Sequence, residues 1–121
     1  MSTIKTTTLS TQGGSTVPVD TVVNGTAKAW VNFDGTGTVA IRRAFNVSSI
    51  SDVGVGQYRI NFTSAMIDTN YAVMSNGANA EFVFSSPGGV STSTDYASVV
   101  IGNGTGSTNV DRSYVSVSIF S

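Results

Sequence analysis

Along this chain apolar and polar residues alternate one for one, and no window of useful length repeats every third or fourth position, so the sequence predicts strands. Residues 57–63 are the clearest case: Tyr58, Ile60 and Phe62 fall on one face, and Gln57, Arg59, Asn61 and Thr63 on the other. Ala29, Val31 and Phe33 line one side of an earlier strand, with Lys28, Trp30 and Asn32 opposite. Residues 41–47 read the same way, with Ile41, Arg43, Phe45 and Val47 on one face and Arg43 either at a strand end or with its head snorkelling to water. Short β-rich runs follow at 71–75, 80–85, 96–101 and 114–120. Within them Phe82 and Phe84 share a side, as do Val115, Val117 and Ile119.

Glycine-rich punctuation separates these runs: Asp34-Gly35-Thr36-Gly37, Gly54-Val55-Gly56, Asn76-Gly77, Pro87-Gly88-Gly89 and the glycines at 102, 104 and 106. Asn-Gly and Asp-Gly pairs supply the positive φ that hairpin turns need. About seven or eight short strands at such spacing predict an all-β fold, an antiparallel β-sandwich of jelly-roll-like or similar type. Residues 1–25 differ. Ile4, Val17 and Val19 are too few to build a core, and the Thr/Ser-rich run reads as an extended arm that anchors or oligomerises the domain, or else as a flexible tail. The expected division is therefore an arm over 1–25 and a sandwich over 26–121.

Composition changes this picture in one respect. Charged residues make up 11% of the 121, far below the usual quarter, and Ser, Thr, Gly and Asn take the polar positions instead. The surface should be neutral and rich in hydrogen-bonding groups. A formal net charge of −1 gives no electrostatic footprint for nucleic acid or anionic lipid. No stretch approaches the length of a membrane span, and no apolar run near the N-terminus suggests a secretion signal. Synthesis in a cytoplasm, with release by a route such as lysis, is the expectation.

Candidate chemistry is thin. The chain has no His and no Cys, which removes the commonest general base, the thiol nucleophile and the usual transition-metal ligands. Glu81 is the one glutamate, and the aspartates at 20, 34, 52, 68, 95 and 111 are scattered, mostly at turns where they bond their own backbone. No nucleophile elbow, Ser-x-x-Lys pair or calcium loop is present. No catalytic residue, metal site or cofactor is expected, and an enzyme is not. Trp30, the one tryptophan, sits on the polar side of its strand. Such a ring stacks on a sugar or anchors an interface, or it packs against the arm or a second sheet. Trp30, Tyr96 and Tyr114 are the candidate receptor-binding residues; Ile4, Val17 and Val19 are the candidate anchors of the arm.

Residues 25–78 carry a longer signal. Ala27-Lys28-Ala29-Trp30-Val31-Asn32-Phe33 is followed by Gly35-Thr36-Gly37-Thr38-Val39-Ala40-Ile41-Arg42, then Phe45-Asn46-Val47-Ser48-Ser49-Ile50, Gly56-Gln57-Tyr58-Arg59-Ile60-Asn61-Phe62, Met66 and Asp68-Thr69-Asn70-Tyr71-Ala72-Val73. In unbroken order, this resembles a module of tail-fibre and other virion structural proteins of tailed bacteriophages, marine and cyanobacterial ones in particular. The resemblance implies a β-sandwich displayed on the particle, a homotrimer, contact with other phage structural proteins, and loops facing host surface polysaccharide or protein. It transfers no catalytic or metal residue. The place on the particle stays open between a short fibre or appendage tip and a head-decoration, cement, neck or baseplate part; a bacterial lectin-like domain is a third reading.

Overall fold

The computed structural model of this protein describes residues 1–78, 92–103 and 108–121. Within them the order is β1 (Thr8–Ser10), β2 (Thr16–Pro18), a short helix α1 (Val19–Gly25), β3 (Ala27–Asp34), β4 (Ala40–Phe45), β5 (Val47–Gly54), β6 (Gln57–Phe62), β7 (Ala72–Gly77), β8 (Tyr96–Val100) and β9 (Val115–Phe120). All paired strands run antiparallel. One sheet has the order β4-β3-β9-β7, a second β5-β6-β8, and β1 with β2 makes a separate hairpin. The expected all-β sandwich is thus the observed architecture. The run expected over 80–85, with Phe82 and Phe84, lies outside the described residues, as do the Pro87-Gly88-Gly89 turn and the glycines at 104 and 106.

The core is built from the faces that alternation picks out. Ala29, Val31 and Phe33 of β3 and Val115, Val117 and Ile119 of β9 face Tyr58, Ile60 and Phe62 of β6 and Ala97 and Val99 of β8. Among the described residues, Met66, Tyr71 and Ile101 complete this cluster, which contains no charged residue. Phe33 and Tyr58 join the two sheets edge to face, with ring centroids 5.0 Å apart. Burying nine side chains the size of valine or larger at under 2% exposure supplies the main stabilising term, on the order of 1.5–3 kcal/mol for each.

The strand expected over 41–47 is corrected. It breaks at Asn46, whose φ of 54° lies in the left-handed region, and the chain there crosses from the four-stranded to the three-stranded sheet. Asparagine tolerates this backbone and secures it. Its amide donates to the carbonyls of Lys28 at 3.0 Å and Ser64 at 3.1 Å, and its Oδ1 accepts the Ser64 N–H at 2.7 Å. Phe45 therefore faces solvent and Val47 packs towards the core, as does Ala44; Ile41, opposite Phe33 on the edge strand, is 40% exposed. Period-2 reasoning fails here twice: the extra residue at Arg42 separates Ile41 from Arg43 and Phe45, and the left-handed Asn46 separates Phe45 from Val47.

At the far end of the sandwich Tyr58 ties three segments together. Its hydroxyl lies 3.0 Å from the Gly35 carbonyl and 2.8 Å from Asp111 Oδ1, which also accepts the Gly56 N–H at 2.7 Å. Burial first, and then the bond to Asp111, push this hydroxyl above the usual tyrosine range, so it stays a proton donor. Gly35 has no room for a side chain, since a Cβ would strike the Tyr58 ring and hydroxyl. Gly56, at φ 64°, meets the Ile101 carbonyl and Val110 backbone just as closely. Residues 1–25 give nothing to the core; none of them is buried.

Candidate functional site

Because strand pairing fixes which residues stand side by side, the outer face of the four-stranded sheet can be read in rows. Trp30 on β3 is opposed by Phe45 on β4 and by Ser118 on β9, and Ser118 by Met74 on β7. One step along, Arg43, Asn32, Ser116 and Asn76 form the next row on the same four strands. Rows on one face lie about 7 Å apart, two residues of strand rise. The first row is apolar at three of its four places, and it is open to water: Phe45 is 54% exposed and Met74 64%. Trp30 is half-buried.

The second row is polar across the sheet. Asn32 donates its amide to Ser116 Oγ at 3.0 Å and to the Val115 carbonyl at 3.3 Å, so the Ser116 hydroxyl accepts there and keeps its own proton to donate. Small serines on β9 sink this strand below its neighbours, and Met74, Asn76, Ser116 and Ser118 line a shallow depression of about 220 Å³. The side chains of Arg43 and Asn76 bond to nothing among the described residues.

A register shift between Asn32 and Phe33 inserts Arg42 as an extra residue opposite β3. Its guanidinium lies over the Tyr114 ring, 5.3 Å from the centroid, and 3.5 Å from the Asp34 carboxylate. Arg42 also donates to the Ser113 carbonyl. The Asp34 carboxyl is held below its ordinary range, chiefly by hydrogen bonds from the Thr36 hydroxyl and N–H, with Arg42 adding to them. At the opposite end of β3, a cleft of about 540 Å³ opens between Lys28, Phe45 and Asn46 on one side and Thr63 and Ser64 on the other. The Lys28 ammonium there donates to the Val23 and Thr26 carbonyls that close α1.

Of the candidate receptor residues, then, Trp30 and Tyr114 share one face and Tyr96 does not. Tyr96 opens β8 on the outer side of the other sheet, with the Arg59 guanidinium 4.2 Å from its ring centroid. The half-buried Tyr71 hydroxyl reaches the Ser93 and Tyr96 carbonyls at 2.9 and 2.8 Å and so positions that strand start. Burial pushes the Tyr71 hydroxyl upward from its usual value. Around Tyr96 the polar groups satisfy one another: Asn61 donates to Ser49 Oγ and Ser51 Oγ at 3.0 Å each.

The candidate anchors are spread along residues 1–25. Ile4 precedes β1 and is 89% exposed; Val17 pairs with Leu9 in the hairpin; Val19 opens α1 and donates its N–H to the Thr7 carbonyl at 2.9 Å. Leu9, Val22 and Val23 add further exposed apolar surface to that segment. Sequence reasoning missed Phe45, Met74, Ser116 and Ser118 as members of the outer face. The signal for the two serines was present, since they alternate with Val115, Val117 and Ile119. Among the described residues no group of three or more acidic side chains could hold a metal ion. Comparison of the chain with protein-family models, with curated proteins and with solved structures gives no match.

Proposed function

We propose that this protein is a non-enzymatic structural part of a tailed-bacteriophage particle, anchored through residues 1–25 and displaying the sandwich outward as a short fibre or appendage tip. The observation that carries this reading is a division of labour in the chain. The sandwich closes its core without residues 1–25, and that segment turns Ile4, Leu9, Val22 and Val23 to solvent instead. Apolar residues held off their own domain are available for a neighbour. The module resemblance over residues 25–78 supports the particle as the place where that neighbour is found, and a homotrimer as the assembly. The outer face of β4-β3-β9-β7, with its open aromatic row, then becomes the surface offered to the host.

Gold-labelled antibody against the purified protein, applied to particles released by lysis, tests the reading. Label at tail or appendage tips is the expected result; particles without label overturn it. Label spread over the head would instead favour a decoration or cement role, for which the exposed segment 1–25 is equally suited. Light scattering of the purified chain should give a trimer mass.

A further inference from the structure

We infer that the outer face of the four-stranded sheet binds an acidic glycan, along the paired rows Phe45–Trp30–Ser118–Met74 and Arg43–Asn32–Ser116–Asn76. This deepens the surface-exposed reading above without resting on the particle assignment.

The pattern of the face argues for a sugar. A protein partner is met by an apolar centre inside a polar rim. Here apolar and polar groups lie instead in parallel stripes that cross the strands, about 7 Å apart. A pyranose chain is amphipathic in the same sense: C–H faces lie flat on aromatic rings, and hydroxyls project from the ring edge. Trp30 and Phe45 supply the rings. The Ser116 hydroxyl and the exposed Asn76 amide supply donors and acceptors at the next step. The depression along Ser116 and Ser118 is shallow, which suits a chain lying across a surface better than an enclosed small molecule.

The charge argues for an acidic one. The chain is net −1, yet among the described residues this face and its β4 edge hold Arg42 and Arg43 against Asp34, with Lys28 at the head of β3. Arg42 is engaged by Asp34 and Tyr114, and Lys28 by the end of α1. The Arg43 side chain has no partner among the described residues; it ends the polar row beside the aromatic one. A guanidinium placed there suits the planar two-point recognition of a carboxylate, or the matching contact with a sulfate or phosphate substituent.

The test uses the full chain. Tetrasaccharides of oligogalacturonate, oligomannuronate and heparin are titrated beside methyl-esterified oligogalacturonate and maltotetraose. Trp30, the one tryptophan, reports by fluorescence, with calorimetry alongside. At least one acidic probe should give a saturable change, with neutral probes tenfold or more weaker. Arg43→Gln should weaken that binding about tenfold, the loss of one charge-assisted contact. Trp30→Ala should abolish it by calorimetry, and Tyr96→Ala on the other sheet should leave it unchanged. Far-ultraviolet circular dichroism confirms that each variant is folded.

Failure of every acidic probe at millimolar concentration overturns the inference, as does equal binding of acidic and neutral probes, or binding that survives both Arg43→Gln and Trp30→Ala. An assembly that Trp30→Ala dissolves would also overturn it, because a second copy would then cover the face. Labelled particles without sugar binding would leave the particle reading standing and sink this one; sugar binding by a protein found on no particle would do the reverse.

Discussion

On the outer side of β6, Asn61 commits its amide to Ser49 and Ser51, while on the outer side of β7, the Asn76 side chain is exposed and bonds to nothing among the described residues. The same contrast runs through both sheets. Each carries an arginine over a tyrosine, Arg59 on Tyr96 at 4.2 Å and Arg42 on Tyr114 at 5.3 Å. The three-stranded sheet adds serine hydroxyls that satisfy their neighbours. The four-stranded sheet adds a second arginine, whose side chain bonds to nothing among the described residues, and a row containing Phe45, Trp30 and Met74 that no described residue covers. One outer face is finished by its own side chains and the other is left open. Similar strand chemistry therefore gives two surfaces of different use, and what separates them is where the hydrogen-bonding capacity goes.

The largest effect should come from beneath both faces. Tyr58→Phe removes the one hydroxyl proton placed between the Gly35 carbonyl and Asp111, leaving Asp111 with the Gly56 N–H, and should cost about 1–3 kcal/mol in urea denaturation. Because Tyr58 and Phe33 link the sheets, both should be lost in one transition; separate transitions would show that the two faces belong to independent units. A smaller effect separates the faces directly. Asn61→Ala should cost about 1 kcal/mol, and Asn76→Ala should fall within about 0.5 kcal/mol of zero. Equal costs would erase the contrast.

The smallest effect concerns the rim at Asp34. Its folded-state pKa is depressed, so it contributes stability above the unfolded value of about 4 and loses that contribution as pH falls through and below it. The melting temperature of the natural chain should exceed that of Asp34→Asn near pH 6, and the two should converge towards pH 3. A difference that persists at pH 3 would deny the Thr36 and Arg42 contacts their role.

Much of this fold is legible in the residues, and the failures have local causes. The buried sides of β3, β6 and β9 follow from strict alternation: Ala29/Val31/Phe33, Tyr58/Ile60/Phe62 and Val115/Val117/Ile119. Strand β5 does not announce itself. Register shifts between Val47 and Ser49 and again between Asp52 and Gly54 break its period, leaving Val47 and Ile50 as its inward residues, opposite Phe62 and Ile60. Helix α1, at seven residues, is too short for a 3.6 repeat to register. The site was half legible. Alternation says that Trp30 faces away from the core, and it says the same of Tyr96 and Tyr114. It cannot say that Tyr96 belongs to a different sheet, because that follows from strand order. Phe45 and Arg43 were expected on a core-facing side, and the left-handed backbone at Asn46 put them outside.

The pairing of Ala27 with Phe120 has a mechanical consequence. The start of β3 and the end of β9 lie side by side, so residues 1–25 leave the sandwich at one end, opposite the turn that follows Asp34. A pull between an anchored arm and that far turn runs along β3, which has β4 on one flank and β9 on the other. An edge strand would peel, one bond at a time. A strand held on both flanks must break two ladders in shear together, and the load is shared across them.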